Sequence, residues 1–266
     1  FETRIDSAVL IWPDHSWQAV QLLPDTTILI RYQQGLPRFN FNRITAMQQH
    51  PVVFTDISST AGLNFQHTEN SFNEFDREPL MPHMLSTEGP AMAVADINHD
   101  GLEDIFLGAA KGYHAAVWLQ QPNGRFVSKP QPALQRDSMW EHVHALWIDV
   151  NEDTHADLVI ATGGNEYYNG DEHLLPLVYL NDGSGALTRK TDAFAQIDVT
   201  QSIVLSGDWN GDGKTDLFIG GRTVPWQYGA VPRSYLLLND GTGKFTDVTA
   251  RYLSLIHISE PTRQAE

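Results

Sequence analysis

Cysteine is absent from all 266 residues. That excludes disulfides, thiolate metal sites and cysteine nucleophiles, but it does not fix the compartment. No stretch approaches the roughly 18 consecutive apolar residues of a membrane-spanning helix, and no signal peptide is visible. Basic residues are scarce, with 17 Lys and Arg against 33 Asp and Glu and a formal net charge of −16. Nucleic acid and anionic membrane surfaces both require a basic footprint, so this balance argues against either partner. Long helical periodicity is also lacking. Hydrophobic residues nevertheless make up 41 % of the chain, an ordinary proportion for a protein that buries a core.

The acidic residues are ordered in sequence. Three segments align without gaps: DINHDGLEDIFLG at 96–108, DVNEDTHADLVIA at 149–161 and DWNGDGKTDLFIG at 208–220. Each carries Asp, Asn, Asp and Asp at positions 1, 3, 5 and 9, then a mostly apolar run. Clusters rich in Asn, Asp and Gly begin at Asn123, Asn181 and Asn239 and read as hairpin turns. Short apolar runs precede them at 116–120, 177–181 and 235–239. One unit therefore reads as strand, acidic loop, strand, variable loop, strand, glycine turn, strand. This is a four-stranded sheet on the scale of a propeller blade. The expected fold is all-β: an incomplete β-propeller of about three such blades, preceded by a small β module. The stretch 65–90 is the least regular and reads as a long, candidate functional loop.

Calcium takes 6–8 oxygen ligands, carboxylates and carbonyls above all. The first acidic loop offers Asp96, Asn98, Asp100, the Leu102 carbonyl and Asp104. The second offers Asp149, Asn151, Asp153, the His155 carbonyl and Asp157. The third offers Asp208, Asn210, Asp212, the Lys214 carbonyl and Asp216. Glycine at position 6 (Gly101, Gly213) permits the sharp turn. Thr154 replaces it in the second loop, where a strained turn and a weaker site are expected. Magnesium, which resists full dehydration, suits such cages less well. An EF-hand requires Glu at position 12 and flanking helices. Position 12 is Leu107, Ile160 or Ile219, inside what reads as buried strand. The plain alternative is a set of Asx turns without metal.

These loops resemble the FG-GAP/VCBS repeat family over about residues 53–252. The resemblance implies D-x-[DN]-x-D-G-x-x-D loops that bind calcium between blade strands, as in integrin α-subunit propellers. FTDIS at 54–58 and FTDVT at 245–249, with the run 82–108, are similar to the cartilage-acidic-protein-like branch in its exported Bacteroidetes form. Residues 4–32 look like an ASPIC/UnbV module; three short strands are expected there (SAVLIW, WQAVQLL, TTILIRY), with turns at Pro13-Asp14 and Pro24-Asp25. The implied organisation is an ASPIC/UnbV-like module at 1–33, a linker at 34–52, repeats at 53–252 and a tail at 253–266. That tail resembles a translated sequencing adapter, so a native chain continuing beyond it is expected.

Other candidates are few. His142 and His144, two apart on an expected strand, should share one face, which would suit zinc or general-base chemistry or simple packing with Trp140 and Trp147. His83 and Glu88 lie in the irregular stretch. Tyr167 and Tyr168, in the polar loop 163–173, could stack on sugar rings or line a peptide groove. Neither a G-x-S-x-G elbow nor a phosphate loop is present, and no catalytic residue is assigned. The expected function is a calcium-stabilised, secreted or cell-surface binding or scaffold module for an extracellular protein or carbohydrate. The alternative is a propeller-based polysaccharide hydrolase or lyase. Convergence of His142, His144, Tyr167 and a free carboxylate would favour the enzyme.

Overall fold

The computed structural model describes residues 8–21, 27–41 and 54–252. The tail at 253–266 and the greater part of the 34–52 linker lie outside them. The chain divides into two compact units, Phe1–Asp56 and Ile57–Glu266.

In the first unit, β1 (Ala8–Ile11) pairs antiparallel with β2 (Trp17–Val20). The Asp14 carboxylate holds the turn between them by accepting from the Ser16 amide and hydroxyl at 3.0 and 2.6 Å. A third strand does not form over the described residues 27–32. Tyr32 instead closes on Trp12 edge to face and donates its hydroxyl to Asp14. A β-branched run becomes a strand only where it joins a neighbouring edge in a ladder, and residues 27–32 make no such pairing with β1 or β2.

The second unit holds three four-stranded antiparallel sheets, each following sequence order. The first comprises β3 (Met92–Ala95), β4 (Asp104–Leu107), β5 (Ala116–Gln120) and β6 (Phe126–Lys129). The second comprises β7 (His142–Ile148), β8 (Asp157–Thr162), β9 (Leu177–Asn181) and β10 (Leu187–Arg189). The third comprises β11 (Thr200–Gly207), β12 (Asp216–Thr223), β13 (Tyr235–Asn239) and β14 (Phe245–Asp247). The all-β expectation of blade-like sheets is met; closure into a ring is not part of the described architecture.

Successive sheets pack face to face. Phe106, Val117 and Ala93 of the first meet Leu158, Ile160 and Tyr179 of the second. Val159, Ala161 and Val178, on the reverse face of the second, meet Val204, Leu217 and Ile219 of the third. Strand β8 is buried along its whole length. A strand covered on both faces reads as a continuous apolar run rather than an alternating one, which accounts for the LVIA that follows Asp157.

Candidate functional site

The acidic loops connect β3 to β4, β7 to β8 and β11 to β12, all at one end of the sheets. In the first, the Asp96 carboxylate accepts the amides of Asp100 (3.1 Å) and Gly101 (2.8 Å). Asn98 donates its amide to Asp100 at 3.0 Å, and Asp100 accepts the amide of Leu102. The same set recurs at Asp149, Asn151 and Asp153 and at Asp208, Asn210 and Asp212. Thr154 occupies the left-handed region at φ 72°, where Gly101 and Gly213 stand at 83° and 84°. Position 4 is left-handed as well, through His99, Glu152 and Gly211, a demand that only the third loop meets with glycine.

Position 9 behaves differently from positions 1, 3 and 5. Asp104, Asp157 and Asp216 are fully buried. Each carboxylate clamps two segments, one oxygen accepting the amide of loop position 2 and the other the amide of the third strand's last residue. Asp157 takes Val150 at 3.0 Å and Asn181 at 2.8 Å; Asp104 takes Ile97 and Gln120; Asp216 takes Trp209 and Asn239. Burial raises the pKa of Asp104 and pushes that of Asp157 up to about 6, and the carboxylates at positions 1 and 5 add to the rise. Four acidic or amide side chains per loop, at positions 1, 3, 5 and 9, are thus drawn toward one turn. Among the described residues, no three His, Cys, Asp or Glu side chains converge tightly enough to hold a metal by themselves. The loops also supply the Asn side chains and the carbonyls of Leu102, His155 and Lys214, on which none of the described hydrogen bonds ends. In kind, this all-oxygen donor set fits a hard cation.

The hairpin asparagines, read from sequence as turn formers only, join neighbouring sheets. Asn181 donates to the carbonyls of Ile97 in the first sheet (2.8 Å) and Ala156 (3.0 Å), while its amide oxygen accepts from Gly183 and Gly185. Asn239 repeats this one sheet later, on Val150 and Thr215.

At the opposite end lie the loops β4–β5, β8–β9 and β12–β13, covered in part by the irregular stretch 65–90. A buried carboxylate organises that stretch: Glu74 accepts from the amides of Leu85 and Ser86 and from the Ser86 hydroxyl. The stretch is tied to the sheets through Asn70 to Glu166 at 2.6 Å, Arg77 to the Asn165 carbonyl, and Glu78 to the Asn165 amide at 2.7 Å. Lys111 pairs with Glu166 and lies 4.4 Å over the Tyr167 ring. Tyr167 stacks on His173 at 4.1 Å. Beneath them Glu141, 5 % exposed, accepts the Lys111 amide at 2.9 Å. Burial drives its pKa up to about 8, helped by Glu69 and Glu166. Sequence reading passed over Glu141, Lys111 and Glu166, because they come from separate loops and share no spacing.

His142 and His144 do not share a face. A register shift lies between them, with His142 opposite Thr162 and His144 opposite the adjacent Ala161. The bulge cancels the two-residue alternation. His142 is buried against Phe106 and accepts the Ala109 amide from the first sheet, and burial lowers its pKa to about 4. His144 receives the Val204 amide of the third sheet at 3.5 Å. Tyr167 belongs to the Lys111–Glu166 cluster, so the convergence that would have favoured the enzyme does not form. His83 and Glu88 share Arg222 at 3.0 and 2.6 Å.

Among the described residues no helix is long and apolar enough to cross a membrane. A T-cell immunomodulatory protein homolog of Plasmodium falciparum (isolate 3D7) is 29 % identical over 138 residues, which cover 47 % of this chain and 18 % of that protein. The chain thus spans less than a fifth of this relative's length. Residues 96–160 and 149–219 match the FG-GAP-like repeat, with all three acidic loops inside the matched spans; the chain carries FG-GAP-like repeats.

Proposed function

We propose that the chain is a calcium-stabilised binding module of β-propeller type that works outside the cell or at its surface. One observation carries the reading: the same cage of Asp, Asn and Asp recurs at the same end of three successive sheets, each anchored by a buried Asp at position 9. Three carboxylates in each turn repel one another, and calcium relieves this through the oxygens of positions 1, 3, 5, 7 and 9. A surface location suits FG-GAP-like repeats, and the likeness of residues 4–32 to an ASPIC/UnbV module fits an exported parent protein. The ligand would be an extracellular protein or carbohydrate.

Thermal unfolding with and without calcium tests this. Calcium at about a hundredfold over its Kd adds about 2.7 kcal/mol per site, so Tm rises with calcium. The double variant Asp208→Asn and Asp212→Asn loses about one site's share of the rise. A Tm that millimolar calcium leaves unmoved overturns the reading.

A further inference from the structure

We infer that the end of the sheets opposite the acidic loops binds carbohydrate, in a cavity between the stretch 65–90 and the β12–β13 loop that the exposed Tyr228 helps to line. This rests on the reading of the chain as a binding module and names the ligand class and its place.

The cavity holds about 190 Å³, and Glu78, His83, Arg222, Thr223 and Tyr228 contribute to its lining. It therefore offers a carboxylate acceptor, a guanidinium donor and an aromatic ring around a space on the scale of one sugar residue. Vicinal hydroxyls both donate and accept, which suits such a mixed lining, while the C–H face of a pyranose packs on a ring. Tyr228 is 58 % exposed and makes no ring contact among the described residues, so its face is open.

A second observation comes from Trp226, two residues before Tyr228. It sits at φ 66°, a backbone conformation that bulky residues rarely adopt. Such strain costs on the order of 1–3 kcal/mol and persists only where surrounding contacts enforce it. Its ring carries the Arg77 guanidinium at 4.4 Å and stacks on the Tyr168 ring at 3.7 Å. The side chain still remains 43 % exposed, and Tyr168 46 % exposed. Core packing does not account for a strained, stacked and half-open tryptophan. Support for the exposed Tyr168 ring, which Trp226 covers on one face, does account for it. Tyr167 likewise has Lys111 on its ring and stacks on His173, which leaves it, like Trp226, a supporting role.

The test is a glycan array of neutral and acidic oligosaccharides, probed with the whole chain in millimolar calcium. An array of unmodified tryptic peptides serves as the competing arm. We expect binding to at least one glycan class with quenching of tryptophan fluorescence. Tyr228→Ala, on an exposed side chain, should weaken that binding about tenfold, as loss of one aromatic contact does. Arg222→Ala should do likewise, whereas Val127→Thr on the first sheet should leave it unchanged. Circular dichroism and Tm confirm that each variant is folded. Absence of glycan binding, capture of peptides alone, or binding indifferent to both Tyr228→Ala and Arg222→Ala overturns the inference. Because Tm against calcium is read separately, a failed array with a calcium-dependent Tm removes the ligand assignment and leaves the calcium reading standing.

Discussion

Residue-level demands decide how well each acidic turn is built. Thr154 adopts φ 72° where the other two turns have glycine, and a β-branched side chain in the left-handed region is strained by roughly 1–2 kcal/mol. Thr154→Gly should therefore stabilise the protein by about 1 kcal/mol after glycine's extra unfolded-state entropy is subtracted. Urea melts should show a higher midpoint at unchanged m. Glu141 gives a pH signature. Its folded pKa is about 8, against about 4.3 for an unfolded glutamate. Between these values the folded state holds a proton that the unfolded state has lost, so stability falls as pH rises, by at most about 1.4 kcal/mol per unit. This contribution is fully present below the lower value and gone above the upper one. Glu141→Gln, permanently uncharged, should flatten that slope, and the gap between variant and wild type should widen between about pH 5 and 8. A parallel pair of pH–stability curves would contradict the assignment.

Element-level cohesion depends on asparagines that leave their own sheet. Asn239 is almost fully buried and places two N–H donors on Val150 and Thr215 while accepting from two glycine amides. Asn239→Ala strands several buried polar groups at once, each worth roughly 1–3 kcal/mol when unpaired. A loss of about 3–4 kcal/mol by denaturant unfolding is expected, more than its exposed neighbour Asp240→Ala should cost. The first sheet has Gln120 where the other two have Asn181 and Asn239. The spacing of these turns was legible in the sequence, but their reach was not. An N-D-G run announces a hairpin through local backbone preference; only packing shows that the asparagine clasps the preceding sheet. The histidine pair failed for a related reason. Alternation along a strand is a local rule, and a bulge imposed by pairing with β8 cancelled it.

Whole-molecule behaviour follows from the two outer faces of the stack. On the first sheet, Met92 and Val94 are 63 % and 46 % exposed, and Val94 pairs with Ile105, which pairs in turn with Trp118. On the third, Leu205 is 46 % exposed and pairs with the half-buried Phe218. Contiguous apolar sheet faces of this kind drive association. Sedimentation should show concentration-dependent self-association, and the double variant Val94→Glu and Leu205→Glu should shift it toward monomer without loss of β-sheet signal. A strictly monomeric wild type would show that these faces are too small or too shielded to matter.

The all-β class, the threefold unit and the oxygen-bearing acidic turns were written in the sequence, because each arises from contacts a few residues apart. Packing settled the rest: the position-9 aspartates are buried clamps, His142 and His144 part to opposite neighbours, and Glu141, Lys111, Glu166 and the Tyr168–Trp226 stack lie at the far end of the sheets. Those groups come from loops tens of residues apart. Their proximity is set by how sheet stacks on sheet, and no local pattern records it.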